Sequence, residues 1–239
     1  MYNIIKITDL DSTNNYILSL QESELFKEGL VVVSDFQQKG RGQRGNFWIS
    51  QKCKNITLSV LIEPNISIER QFDLIKITSL SIKDFLLSLG IKSHIKWPND
   101  ILVDKQKISG ILTDNIISRN MITYSIIGIG LNVNQIVFED YIPKATSLSL
   151  QLNRNFILEE IQENLLNSIK NRLNAYRTGI DMKEEYLNSL FQKDKITVFE
   201  TKLQRFNGII RGVTERGELI IETESSFKRF SLKDIKMLF

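Results

Sequence analysis

The chain reads as an α+β body carrying a small all-β segment at its C-terminal end, and three observations predict this. Five apolar, strand-like runs fall between residues 30 and 130. Two long segments, around residues 69–89 and 158–176, repeat apolar residues at helical spacing. After Lys193 the texture changes to short strand-like runs divided by turn signals such as Glu215-Arg216-Gly217-Glu218.

Each element has a local reason. Asp11, Ser12 and Thr13 are N-cap candidates ahead of Tyr16, Ile17 and Leu20, whose spacing suits one helix face. Such a helix would aim its free N–H groups at whatever lies beside Ser12 and Thr13. Strands are predicted over residues 30–36, 56–62, 95–103, 107–117 and 122–130, with a hairpin turn at Asp104-Lys105-Gln106. The helix over 69–89 takes Phe72, Ile75, Phe85, Leu86 and Leu89 as core positions and stops at Gly90. Ile161, Leu165, Ile169, Leu173 and Tyr176 mark the next helix, which Gly179 ends, and a short one is predicted over 184–191. Runs at 196–199, 208–213, 219–221 and 227–230 complete a small barrel. The boundary falls near Gln192, giving domains 1–192 and 193–239.

Composition narrows the function. A chain of 239 residues with 42% hydrophobic and 25% charged content is ordinary for a globular protein. A net charge of +3 gives no argument for nucleic acid. One His and one Cys make a zinc site of the usual ligands untenable and exclude an internal disulfide. No apolar run approaches the roughly 20 residues that span a bilayer, and the N-terminus lacks a secretory layout, so a cytoplasmic protein is expected.

The most informative segment is GRGQRGNFW, Gly40 to Trp48. Glycines let backbone N–H groups approach a ligand, and Arg41 and Arg44 offer planar donor forks suited to phosphate or carboxylate. The spacing of Gly40, Gly42 and Gly45 mimics a dinucleotide fingerprint, but no helix opens there and another strand follows. A phosphate-binding P-loop fails because no Gly-Lys-Ser/Thr closes the loop. In KWPND, Lys96 to Asp100, Pro98 marks a break in a strand, from which Asn99 and Asp100 can project into a cleft. Asp100 is a candidate for holding magnesium through water. KISGIL starts with Lys107 and carries Gly110 where a ligand could come close; alone, that lysine reads as a solvated strand end. GIGLNVN, Gly128 to Asn134, ends a strand with amides able to read a nucleobase edge. Trp48 and Trp97 read singly as core aromatics and His94 as incidental.

Taken in order, DSTNNY at Asp11 to Tyr16, QQKGRGQRGNFW at Gln37 to Trp48, KWPND, KISGIL and GIGLNVN resemble the biotin protein ligases over essentially the whole chain. The resemblance implies a mixed-sheet catalytic domain of the biotin/lipoate ligase type, with helices on one face, and an SH3-like C-terminal β-barrel. It implies an ATP-dependent, two-step ligation of biotin to a lysine of a biotin carboxyl carrier domain, with ATP, biotin and Mg²⁺ as the small-molecule requirements. It implies biotin contacts from Ser12, Thr13, Asn14, Gln37, Gly40, Arg41, Gly42, Gln43, Lys107 and Gly110. Arg44, Trp48, Lys96, Asn99 and Asn132 would line the nucleotide side, with Lys107, Arg41 and Arg44 catalytic and Asp100 near magnesium. No nucleic-acid or membrane partner is implied, and both monomers and homodimers occur among relatives. A lipoate–protein ligase or octanoyl transferase on the same scaffold, or a non-enzymatic biotin-binding sensor, are the rival readings.

Two features depart from the family pattern. Gln43 stands where many members carry Arg, so retention of the adenylate is expected to be either weaker or compensated by Arg44, and Asn46 also replaces a commonly basic residue. DSTNNY begins at Asp11, which leaves no room in these residues for the N-terminal helix-turn-helix of many bacterial relatives, so repression through such a domain is not expected. A mixed anhydride is open to hydrolysis, so the 40–48 loop is expected to be mobile without ligand and to close over it.

Overall fold

The computed structural model describes residues 2–139, 143–232 and 234–239, with the side chain of Arg44 outside the described part. Its elements run β1 (Asn3–Leu10), α1 (Thr13–Ser19), β2 (Leu30–Gln37), β3 (Ile56–Ile62), β4 (Ile66–Ser67) and α2 (Gln71–Ser88). There follow β5 (His94–Lys96), β6 (Asp100–Val103), β7 (Gln106–Ser118), β8 (Met121–Leu131), α3 (Leu148–Leu152), α4 (Leu158–Arg177) and α5 (Lys183–Asn188). The first sheet has the order β1-β2-β3-β8-β7-β6-β5, with β4 on β8. It is mixed, because β1 pairs with β2 in parallel while the other pairs are antiparallel.

The sheet buries both faces, and β2 shows how. Side chains alternate along a strand, so Val31 and Val33 enter the large core with α2 and α4. Leu30 and Val32 point the other way, into a smaller cluster with Ile17 of α1. The long helices α2 and α4 thus share one face, while the short α1 occupies the opposite one. Packed against both the sheet and α4, α2 is buried along most of its circumference, with Leu74, Ile77, Leu80 and Leu86 fully buried and the small polar Thr78, Ser79 and Ser81 also enclosed. On α4 the apolar stripe is narrower: Ile161, Leu165, Ile169 and Leu173 recur every four residues. Full burial of one such side chain stabilises by roughly 1.5–3 kcal/mol.

Three differences from the sequence expectations have physical causes. The strand over 95–103 divides into β5 and β6 around Trp97-Pro98-Asn99, because proline offers no N–H to a ladder. Trp97, 6% exposed, leaves the strand to enter the core. β1 escapes a single-sequence reading because its residues alternate only between exposed and half-buried. α5 ends at Asn188, and Leu190 then bridges Ile95 instead of continuing the helix.

Residues beyond α5 form the second sheet, from β9 (Ile196–Glu200), β10 (Arg205–Val213), β11 (Leu219–Glu222), β12 (Phe227–Phe230) and β13 (Lys236–Leu238). All its pairs are antiparallel, in the order β12-β11-β10-β9-β13. This is the small antiparallel β segment that the sequence predicts; among the described residues its hydrogen-bonded path does not close into a barrel. The sheet is fastened to the body at one turn. The Trp97 indole N–H donates to the Gly217 carbonyl at 3.0 Å, and Arg216 pairs with Glu69. Gly217 has φ +92°, and a Cβ there would lie 2.4 Å from the Phe72 ring. Phe199, Ile210 and Leu219 belong to the same apolar cluster as Phe72, Trp97 and Tyr186. No helix among the described residues is long and apolar enough to cross a membrane.

Candidate functional site

One cavity of about 590 Å³ opens on the α1 face of the first sheet, and its floor is glycine. Gly110 of β7 sits opposite Gly130 of β8, and Leu112 opposite Gly128. A Cβ on Gly130 would lie 2.2 Å from the Trp48 ring, and one on Gly128 would lie 2.3 Å from Asn14 Oδ1. Strand positions facing one side are therefore bare because two side chains from elsewhere rest directly on the peptide backbone. Trp48 caps this floor, and its indole N–H is buried without a hydrogen-bond partner among the described residues.

Ser12, Thr13 and Asn14, at the start of α1, form one wall and are all buried. The Thr13 backbone N–H donates to Gln37 Oε1 at 2.8 Å, so the helix terminus and the end of β2 hold each other. Ser59 of β3 lies 2.6 Å from Thr13 Oγ1 and 2.5 Å from Asn14 Oδ1. Asn14 Nδ2 donates to Asp114 Oδ2 at 2.9 Å.

The 40–48 loop folds back on itself over the cavity mouth. Gly42 N–H donates to Asn46 O at 2.7 Å and Trp48 N–H to Gly40 O at 2.8 Å. A Cβ on Gly40 would lie 2.3 Å from the Trp48 carbonyl oxygen, so that glycine serves the loop's own packing. Residues 43–45 form a single 3-10 turn, with Gly45 at φ +81°. Arg41 reaches across to Asp114, with Nη1 at 3.0 Å and Nη2 at 3.3 Å from its two oxygens, and to Asn15 Oδ1 at 2.8 Å.

At the other end stands a charge cluster. Lys107 Nζ lies 2.6 Å from Asp100 Oδ1, and Lys96 Nζ lies 3.1 Å from Asp100 Oδ2. Burial alone would raise the Asp100 carboxyl, but the two ammonium groups outweigh it and hold it below the usual carboxylate range. Lys107 Nζ also sits 5.6 Å from the centre of the Trp48 ring, a cation–π distance. Both oxygens of Asp100 are thus engaged by cations, and the described residues hold no group of three His, Cys, Asp or Glu able to bind a metal. A dication placed on this carboxylate would meet two positive charges, so the residues do not fit a protein-held magnesium ion.

The cavity lining brings together most of the residues singled out in the sequence. Ser12, Thr13, Asn14, Gln37, Arg41, Gly42 and Gln43 line it with Trp48, Lys96, Asn99, Asp100, Lys107, Gly110 and Asn132. Gly40 is not part of that lining, and the Arg44 side chain lies outside the described residues. The amide donors of two asparagines are already engaged by backbone. Asn99 Nδ2 donates to Ile111 O at 2.6 Å, and Asn132 Nδ2 to Thr146 O at 3.0 Å. Trp97 is a core aromatic that also borders the cavity, and His94 is exposed.

Sequence reasoning missed Asp114, Asn15 and Ser59, and the contributions of Phe199, Lys236 and Met237 from the second sheet. A period-two count from Gly110 puts Asp114 on the cavity face, and the same count pairs Thr57 with Ser59. No local signal announces Lys236. Among the described lining residues the cations Arg41, Lys96, Lys107 and Lys236 outnumber the one carboxylate, Asp100, with Arg41 paired to Asp114 just outside the lining. A concave site with that surplus of cations is suited to an anionic ligand.

The chain is 29% identical over 231 residues to the bifunctional ligase/repressor BirA of Bacillus spizizenii, covering 88% of this chain and 66% of the relative, so it spans about two thirds of that protein's length. It is 27% identical over 228 residues to the biotin--[acetyl-CoA-carboxylase] ligase of Mycobacterium tuberculosis, covering 90% of this chain and 82% of the relative. Among solved structures, the biotin protein ligase from Aquifex aeolicus in complex with biotin and ATP superimposes with a TM-score of 0.81 at 26% identity, covering 100% of this chain and 99% of that one. The sequence pattern of the Biotin/lipoate A/B protein ligase family matches residues 7–132, more than half of the chain, and includes every cavity motif from DSTNNY to Asn132. The chain belongs to the Biotin/lipoate A/B protein ligase family.

Proposed function

We propose that the chain ligates biotin to a lysine of a biotin carboxyl carrier domain, using ATP and passing through a bound biotinyl adenylate. The observation that carries this reading is the meeting of a buried polar wall, a bare glycine floor and a lysine pair around one cavity of about 590 Å³. That volume lies within the range of sites that enclose small ligands.

The chemistry asks for what the cavity contains. In the first step a biotin carboxylate oxygen bonds to the α-phosphorus of ATP and pyrophosphate leaves with the broken bond's electrons. Two anions must approach, so fixed cations at the point of reaction lower the barrier, each typically by a few kcal/mol. Lys107 and Lys96 are those cations, with Lys107 at the carboxylate and the phosphate it attacks. In ligand-free protein both rest on Asp100, which keeps them in place until substrate oxygens compete for their protons. In the second step the acceptor lysine's neutral amine bonds to the acyl carbon, AMP leaves, and one proton is released.

Recognition of biotin falls to the α1 end. Ser12, Thr13, Asn14 and Gln37 offer donors and acceptors to its ureido ring, assisted by Arg41, Gly42, Gln43 and Gly110, and Gly40 lets the loop close. Trp48, Asn99 and Asn132 border the nucleotide with Arg44, Trp48 offering its face and its free indole N–H. Magnesium enters as the counter-ion of ATP and so as part of the substrate. A division into residues 1–192, holding the chemistry, and 193–239, closing one end of the cavity, fits this reading, as does a cytoplasmic setting where ATP and acceptor are present.

Pyrophosphate exchange into ATP, run separately with biotin and with lipoate, tests the first step, and mass gain of a carrier domain tests the second. Exchange with biotin alone, followed by transfer, is the expected result. Exchange with lipoate alone would assign the chain to the lipoate branch of the family, and binding without exchange would make it a sensor.

A further inference from the structure

Asp114 has no part in the two chemical steps, yet it joins three separate segments. It accepts from Asn14 Nδ2 of α1 at 2.9 Å and from both terminal nitrogens of Arg41 on the 40–48 loop, and it stands on β7. Asn14 is itself fixed, since it accepts from Ser59 and presses on the bare backbone of Gly128. Among the described residues of the loop, Arg41 makes long-range side-chain bonds, to Asp114 and to Asn15. The pair is only partly sheltered, with side chains 42% and 31% exposed. An ion pair in that setting is weak and opens readily, as a loop must if it admits two substrates and later releases product.

From this geometry we infer that Asp114 is a positioning residue: it fastens the 40–48 loop through Arg41 and thereby lengthens the stay of the acyl-adenylate. The inference rests on the ligase reading for the adenylate and on geometry alone for the fastening. Its consequence is a split between two rates. Losing the Asp114 charge leaves Lys96 and Lys107, which rest on Asp100, untouched, while Arg41 loses its anchor and the loop over the adenylate opens more often.

Two measurements on the purified full chain test it. Chymotrypsin cleavage after the exposed Phe47 reports loop opening without any ligand. Asp114→Asn keeps the shape and an acceptor for Asn14 but removes the charge, and cleavage should quicken by about two- to fivefold, the span of a partly exposed ion pair. Asp114→Glu should restore part of the protection. Because Asp114→Asn could also disturb folding, the charge-swapped pair Arg41→Asp with Asp114→Arg is read alongside, and should be better protected than either single variant. With biotin and ATP but no acceptor, Asp114→Asn should form adenylate at a near-normal rate and lose it two- to fivefold faster. Wild-type cleavage rates in Asp114→Asn, or a swap no better than its single components, overturn the fastening. A slowed formation rate with an unchanged adenylate lifetime overturns the positioning role. If the wild-type chain makes no adenylate from biotin, the ligase reading fails while the cleavage comparison still decides the fastening.

Discussion

Lys107 and Asp100 face each other at 2.6 Å from neighbouring strands, and Lys96 closes on the same carboxylate at 3.1 Å. A carboxylate shared between two lysines holds them in the cavity, where the proposed reaction would bring an anionic substrate. The arrangement makes Asp100 a counter-charge in the ligand-free protein and leaves a metal ion no vacant oxygen.

Replacing Lys107 with alanine separates chemistry from folding. Asp100 keeps Lys96, so the melting temperature should fall by only a few degrees, while adenylate formation should drop at least about a hundredfold. Pyrophosphate exchange and a thermal melt on the same preparation check both halves. Near-normal exchange would show that this lysine is misplaced in the scheme.

Asp100→Asn should reveal itself in how stability depends on acidity. The folded carboxyl lies below its unfolded value near 4, so its contribution is fully present above that value and fades as pH falls through the lower, folded one. The gap in melting temperature between wild type and Asp100→Asn should therefore be constant from about pH 5 to 7 and shrink below about pH 4. A gap that widens in acid would contradict the assigned pairing.

Gly130→Ala should displace the indole of Trp48, because the new methyl would lie 2.2 Å from that ring. A shift of about 1 Å at a reacting centre can reduce turnover by roughly a hundredfold. The chain has two tryptophans and Trp97 is buried elsewhere in the core, so a change in emission that disappears in Trp48→Phe reports this movement. An unchanged spectrum with unchanged kinetics would mean that the floor tolerates a side chain.

Gln43→Arg should lengthen the lifetime of the adenylate. Gln43 lines the cavity and can bond to a phosphate oxygen, but it brings no charge. Charge-assisted hydrogen bonds are about twice as strong as neutral ones, and the difference corresponds to roughly a tenfold slower release. Quench-flow or filter retention without acceptor measures it, and an equal lifetime would show that Arg44 already supplies what is needed.

Much of this was legible in the sequence, and the remainder was hidden for identifiable reasons. The β3, β7 and β8 strands and the α2 and α4 helices announce themselves because each buries a continuous or periodic apolar set. The motif residues Ser12, Thr13, Gln37, Lys96 and Lys107 meet in one cavity as the resemblance implied. β1 stayed hidden because an edge strand with exposed residues carries little periodicity. The side of the sheet that α1 takes depends on Leu30 and Val32 turning away from Val31 and Val33, a matter of three-dimensional packing. Asp114 belongs to no motif; its partners lie 73 and 100 residues away in the chain. Asn99 and Asn132 carry expected motif positions but spend their donors on backbone, which spacing alone does not reveal.

The glycine floor has an evolutionary corollary. Where Trp48 and Asn14 rest on bare main chain, selection has no side chain to enlarge, shorten or recharge, and one added at Gly130 or Gly128 would displace them. A change of diet therefore falls more readily to lining side chains such as Ser12, Gln37 and Gln43 than to Gly128 and Gly130.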